Sequence, residues 1–131
     1  MTETGALQRL RLRGVSPMLP EEALALTRRA LDAFGLSEWR VQLTDFPPNP
    51  DGSRRLGLCS YRQKTIMLSA SHVEQDRRDC VLETLAEEVG HALTPEDTNH
   101  GARWKTAYEH IKAIIVADAE EQQAVEMLIS K

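Results

Sequence analysis

Four ionisable side chains that could together bind and use a metal ion lie close in the sequence: Glu87, Glu88, His91 and His100. Residues four apart share one face of an α-helix, so Glu87 and His91 can contact the same ion. A glutamate directly after the first of two such ligands is offset from them and can act as a base on an attacking water molecule. Glu88 occupies that position, and His100, beyond the helix, is the candidate third ligand. The pattern predicts metal-assisted hydrolysis, with these three ligands and Glu88 as the general base.

A helix must carry the first three of these side chains, and the apolar pattern predicts one from about Val73 or Asp76 to Leu93. Pro95 ends it, because the residue before a proline disfavours the α conformation. A polar loop follows at 96–99. A second helical pattern, one helix or two, then runs from about 102 to 129. Its inward-facing residues are Trp104, Ile111, Ile115 and Ala119.

The preceding half of the chain predicts a helix and a small sheet. The helix, at about 20–34, starts with Pro20 and stops before Gly35. Strand patterns follow at 39–46, 55–61 and 65–69. The last two are joined by a short polar spacer that is typical of a β-hairpin. We expect a small antiparallel sheet of at least three strands, and hence an α+β fold in the order helix, sheet, motif helix, C-terminal helix or helices.

The composition indicates one globular domain. The chain has 131 residues, of which 41% are hydrophobic and 27% are charged. Residues 1–18 are polar and basic without a sustained period, so we expect an N-terminal arm before a single domain at 19–131. No apolar segment approaches the ~20 residues that span a bilayer, and no signal-peptide pattern is present, so we predict a cytoplasmic protein. Cys59 and Cys80 are isolated and are expected to be buried thiols.

The charge balance bears on nucleic-acid binding. A net charge of −4 argues against a protein that binds nucleic acid through bulk electrostatics. Local basic clusters, at Arg9, Arg11 and Arg13 and at Arg77 and Arg78, leave a nucleic-acid-binding protein as a third class of function. The alternative for both clusters is a solvated face or a loose arm.

Motifs in a fixed order resemble the SprT family of zinc metalloproteases, which includes the Spartan-type proteases that cut proteins crosslinked to DNA. They are the segments LGLCSY at 56–61, TIMLS at 65–69, EEVGHAL at 87–93 and HGARW at 100–104. The resemblance covers about residues 20–112. It implies a zincin-like minimal metalloprotease core, Zn²⁺ bound by His91 and His100, Glu88 as base, and a protein or peptide substrate. Association with nucleic acid is implied only by the family.

Two departures from the family pattern matter. The family's opening histidine is replaced by Glu87, and the cysteine-rich zinc ribbon or DNA-binding extension of many members is missing from the sequence. The chain therefore resembles a short form of the family. Such short members are common in phages and mobile elements, so an origin of that kind is a further expectation.

Glu87 has three interpretations. As a ligand, its carboxylate binds zinc at a distance similar to imidazole; it lowers the charge of the centre by one unit, so water is acidified less and metal choice widens toward Mn²⁺, Fe²⁺ or Ni²⁺. Alternatively, the metal site has decayed and the chain is an inactive pseudo-protease that binds a protein partner. In the third interpretation, the substitution was introduced to silence the enzyme.

Charge repulsion bears on this choice. Glu83 and Glu87 are like charges four residues apart, which costs ~0.2–0.5 kcal/mol without compensation. A bound cation would offset that repulsion. So would an arginine or lysine from a neighbouring element, and solvent exposure would make it small.

The remaining candidates have plainer interpretations. His72 and His110 are expected at the surface, and Trp104 is expected to pack in the core behind the site. Tyr61 is either a half-exposed strand residue or part of a cleft where a peptide adds a strand to the sheet edge. The loop residues Glu96 and Asp97 are expected to be solvated, or else to help bind a cation.

Overall fold

Helix α1 (Pro20–Ala33) opens the part of the chain that the computed structural model describes, residues 18–129. The fixed φ of Pro20 suits the first helical turn, and Glu22 accepts a hydrogen bond from the N–H of Leu19 at 3.4 Å. The helix buries Ala23, Leu26, Ala30 and Leu31. The predicted helix at 20–34 is confirmed to within one residue at its end.

The three strands form one mixed sheet in the order β1-β3-β2. Their bounds are Arg40–Thr44 for β1, Gly57–Ser60 for β2 and Thr65–Ser69 for β3. The β2–β3 hairpin is antiparallel as predicted, but β1 pairs parallel with β3, so the prediction of a wholly antiparallel sheet is wrong in this pairing. The link at 45–56 carries the chain past β3, and β2 pairs on its far side. As the central strand, β3 fully buries Ile66 and Leu68.

Two helices follow the sheet where the sequence predicts one. Helix α2 (Ala70–Gln75) and helix α3 (Arg78–Leu93) are separated by two residues with extended backbone, whose ψ angles are 166° and 143°. This corner redirects the chain so that α3 can pack across the sheet. The C-terminal end of α3 agrees with the prediction.

His72 holds this corner and is buried, so the prediction that it lies at the surface is wrong. Only 2% of His72 is exposed. Its Nδ1 lies 2.6 Å from Oδ2 of Asp76, and its Nε2 lies 2.8 Å from Oγ1 of Thr84 in α3. The sequence period around His72 does not predict burial, because burial results from the turn that brings α3 back over the ring.

Helix α4 (Ala102–Ile129) is one continuous helix that packs against α3 and α1. Arg29 of α1 forms an ion pair with Asp118 of α4, with 2.7 Å between Nε and Oδ2. The four residues predicted to face inward are all buried: Trp104, Ile111, Ile115 and Ala119. The α+β fold class with its predicted element order is thereby confirmed.

Arg78 is buried, which corrects the expectation of a solvated basic cluster. It is 2% exposed at the start of α3 and pairs with the carboxylate of Glu22 in α1. Arg77 is exposed and pairs with Asp79. The arginines at 9, 11 and 13 lie outside the described residues.

The two cysteines differ in their exposure to solvent. Cys59 is half-buried, whereas Cys80 is exposed, so the expectation of buried thiols is wrong for Cys80. Met18, assigned to the predicted arm, is buried in the core, and residues 1–17 lie outside the described range. Between residues 18 and 129, none of the helices combines the length and apolar character needed to cross a membrane.

Candidate metal centre

The two histidines singled out in the sequence meet in the structure. His91 lies in the last turn of α3, and His100 lies in the loop just before α4. Their Nε2 atoms are 2.9 Å apart, and the two rings are stacked with centroids 4.7 Å apart. Which imidazole donates depends on the tautomers, but the two Nε2 atoms are close enough to contact one common ion.

The backbone of His100 adopts the left-handed conformation, with φ of 58°. A non-glycine residue with this φ is uncommon, although histidine tolerates it better than most. The conformation turns the chain into α4 while directing the imidazole back toward α3. His100 therefore reaches His91 through the shape of the loop.

Asp97 fixes this loop and was not assigned this role from the sequence. Its carboxylate accepts hydrogen bonds from the N–H of Trp104 at 3.0 Å and of Gly101 at 2.9 Å. These bonds, first the one from Trp104, hold the pKa of Asp97 below its ordinary value. A Cβ on Gly101 would lie 2.5 Å from Oδ1 of Asp97. Asp97 lies four residues before the N-cap position, at Gly101, so the usual sequence signal for a capping aspartate does not identify it.

Glu88 projects from α3 toward strand β2. It lines a cleft whose other residues are Arg55, Gly57, Leu58, Cys59, Tyr61, His91 and Thr98. Burial, followed by the negative charge of Glu87, raises the pKa of Glu88 to about 7, against a smaller opposing effect of Arg55. A Cβ on Gly57 would lie 2.9 Å from Oε2 of Glu88, so a larger residue here would require the Glu88 side chain to shift.

Glu87 lies one helical turn before His91, but its carboxylate is not assembled with the histidines. Burial raises its pKa, and the charge of Glu83 raises it further, while His100, His72 and Lys112 oppose this. In the described part of the chain, no set of three His, Cys, Asp or Glu side chains is arranged to hold an ion. The assignment of Glu87 as a ligand stays a prediction.

The repulsion between Glu83 and Glu87 has a visible compensation. Nζ of Lys112 in α4 lies 3.1 Å from Oε1 of Glu83. A lysine from a neighbouring element therefore offsets the acidic charge on this face of α3. The crowding of glutamates is explained without a bound cation, and it gives no separate support for one.

Tyr61 stands at the end of the cleft nearest His91. Its hydroxyl donates a 2.8 Å hydrogen bond to the carbonyl oxygen of His91, which ties the hairpin to the end of α3.

Burial, reinforced by the charge of Glu88, raises the pKa of the neighbouring Cys59 thiol to about 12. Cys59 is therefore a neutral lining residue and not a nucleophile.

Trp104 stacks on His100 and contacts His91, and it lies behind both rings. The loop residue Glu96 is exposed and pairs with Arg103 at 3.4 Å. His110 is exposed, as predicted, and its ring meets Phe34 edge-on. Neither Glu96 nor His110 lines the cleft that contains Glu88 and His91.

The fold and the site together define a class, a small α+β domain with a histidine pair beside a half-buried glutamate on the motif helix. The model of the SprT-like family matches residues 31–126, which include the whole site, and the chain belongs to this family. It therefore carries a metallopeptidase-like domain. Searches of curated proteins and of solved structures find no significant match.

Proposed function

We propose that the chain is a metal-dependent peptidase whose ion is bound by Glu87, His91 and His100 and whose general base is Glu88. The observation that carries the proposal is the 2.9 Å approach of the two Nε2 atoms beside the half-buried Glu88. The family supplies the reaction class. Metal binding and proton transfer fall to different side chains of the same helix, with His100 added from the loop.

The two histidines fit a metal ion such as Zn²⁺. With Zn–N distances of about 2.0 Å and tetrahedral angles, two imidazole nitrogens lie about 3.3 Å apart, close to the separation seen here. Glu87 would supply the third donor from the same helical face. A bound divalent cation polarises the carbonyl group of a substrate and acidifies water. A site with two histidines and one glutamate is a donor set that supports hydrolysis.

Glu88 is suited to proton transfer. A base works best when its pKa lies near the working pH, and in the metal-free protein burial raises the pKa of Glu88 to about 7, toward that range. Its carboxylate would take the proton of the attacking water and pass it to the leaving amine. Because Gly57 has no side chain, Glu88 has room to lie against the cleft wall.

Strand β2 offers an edge for an extended peptide. The N–H of Ser69 donates to the carbonyl of Leu56, so the hydrogen-bonded pairs of the hairpin fall at alternate residues from Leu56. The N–H and C=O groups of Gly57 and Cys59 therefore point away from β3, along the cleft. A substrate strand paired there would lie next to Glu88.

Metal analysis and two substitutions test the proposal. Purified protein supplied with Zn²⁺ at neutral pH should contain roughly one equivalent of metal. Glu87→His, which restores the family motif, should increase casein cleavage, and adding Glu88→Gln to it should abolish cleavage while the metal stays bound. Glu83→His is the matched control, one turn earlier on the helix. Unaltered protein that takes up no metal would refute the proposal, even if Glu87→His binds it.

A second candidate is a non-catalytic module that keeps the cleft to bind a protein partner. It is favoured by the glutamate at position 87 and by the absence, among residues 18–129, of an assembled set of three ligands. In that case Glu87→His would bind metal while the unaltered chain would bind none. A peptide would still bind along β2 in both forms.

A further inference from the structure

Trp104 is buried without belonging to the main hydrophobic cluster. Only 8% of it is exposed, yet the core cluster, which joins the sheet and all four helices, does not include it. Its neighbours are rings of a different kind: the imidazoles of His91 and His100 and the phenol of Tyr108. Ordinary core packing does not explain this choice of contacts.

The indole contacts both histidines through its face. Its ring centroid lies 4.0 Å from that of His100, with the planes 17° apart, and 5.5 Å from that of His91. Tyr108 stacks on Trp104 at 5.0 Å, with the planes 13° apart. The His100 imidazole is itself stacked on two rings, those of Trp104 and His91, and these contacts limit how far it can rotate.

The edge of the indole contacts the main chain of Glu87, the third proposed ligand. Its Nε1–H donates a 3.3 Å hydrogen bond to the carbonyl oxygen of Glu87. The approach needs Gly90, where a Cβ would lie 3.1 Å from Nε1. One side chain thus contacts residues 87, 91 and 100, which come from two separate segments of the chain.

The base of the side chain is fixed as well. The backbone N–H of Trp104 donates to Asp97, the residue that also binds the N–H of Gly101. The loop that carries His100 and the ring that stacks on His100 therefore share one anchor. A shift of the loop would move both together.

We infer that Trp104 is a positioning residue that holds His91, His100 and the main chain of Glu87 as one unit. The effect of Trp104 on metal affinity rests on the proposed function. The arrangement of the rings does not depend on it. Trp104 touches neither substrate nor ion, and it acts by fixing the direction of the His100 imidazole. Partners that orient metal ligands typically change metal affinity about 10–100-fold when removed.

The test compares Trp104→Leu and Trp104→Phe with Ile115→Ala. Ile115 is buried on the same helix and supports α4 packing without contacting either histidine, so its truncation controls for loss of stability. The first readout uses metal-free protein, in which the His100 ring protons should be shifted upfield by the stacked indole in NMR spectra. Trp104→Leu should remove this shift, and Ile115→Ala should keep it.

The second readout is Zn²⁺ affinity by competition with a chelator. Trp104→Leu should weaken binding about tenfold or more, Trp104→Phe should recover most of the loss through its ring, and Ile115→Ala should bind like the unaltered chain. Equal affinities for Trp104→Leu and Ile115→Ala, or an unshifted His100 ring in the parent protein, would overturn the inference. If the parent binds no metal, the proposed function fails, and the NMR comparison still decides the role of Trp104.

Discussion

At the scale of single residues, Glu88 is the site carboxyl group whose pKa burial raises most clearly. Its side chain projects from α3 against Gly57 of β2, and burial raises its pKa from 4.5 to about 7. The raised pKa means that the fold favours the protonated carboxyl. The stabilisation that this pKa shift gives the folded protein is fully present below about pH 4.5, and it is lost as the pH rises through about 7.

Metal-free protein should therefore lose stability relative to Glu88→Gln between pH 5 and pH 8. Glutamine stays neutral, so the variant should become the more stable of the two at pH 8, by about 1–3 kcal/mol. Urea denaturation of both proteins across this range measures the difference. Glu83→Gln, at an exposed position on the same helix, is the control and should show no such trend; a flat difference for Glu88→Gln would contradict the burial argument.

Glu87 shows what the sequence could and could not say about the site. The four-residue spacing to His91 and the position of His100 predicted a meeting point, and the two histidines do meet. The carboxylate of Glu87 is not assembled with the two histidines, and no local sequence pattern indicates this. The sequence therefore predicted where a metal would bind more securely than which groups would bind it.

At the scale of elements, the site depends on the junction between α3 and α4. Asp97 caps α4 and at the same time sets the loop that carries His100. The sequence showed the end of α3 at Pro95 and the start of the next helix near 102. It did not show that an acidic loop residue folds back onto two backbone N–H groups.

Asp97→Ala should lower the melting temperature by a few degrees and weaken Zn²⁺ binding about tenfold, because both N–H groups lose their acceptor and His100 loses its fixed direction. Thermal unfolding and a metal titration measure the two effects. Glu96→Ala, a change of the neighbouring exposed carboxylate, should leave both nearly unchanged. Equal behaviour of the two variants would show that the cap does not position His100.

At the scale of the whole molecule, a buried ion pair connects the first helix to the motif helix. Arg78 and Glu22 come from α3 and α1, and both are largely withdrawn from water. Removing one partner from such a pair leaves an uncompensated buried charge, whereas replacing both with apolar residues can restore most of the stability.

Glu22→Leu should destabilise the protein by about 3–5 kcal/mol, and the double variant Glu22→Leu with Arg78→Met should recover most of that loss. Guanidinium denaturation gives all three free energies of unfolding. Arg77→Met, at the exposed neighbouring position, should change stability by less than about 0.5 kcal/mol. A double variant as unstable as the single one would mean that the pair is not what joins the helices.

The same long-range contacts explain where prediction from sequence ended. Helix α1 and strand β3 were predicted almost to the residue, because proline, glycine and apolar spacing act locally. The parallel pairing of β1, the corner at Asp76 and the burial of His72 and Arg78 depend on elements distant in sequence. A lone histidine or arginine carries no signal of the partner that will bury it.

Among residues 18–129 no strand pairs with the outer edge of β2, and this edge has a consequence for the protein in concentrated solution. Backbone groups that could accept a peptide could equally accept the same strand of a second copy, which is how exposed edges start to aggregate. Three features oppose this here: the strand is only four residues long, it contains Gly57, and the partly ionised Glu88 lies beside it. Neutralising Glu88 to silence the chain also removes one of these safeguards, so such a variant is best kept dilute.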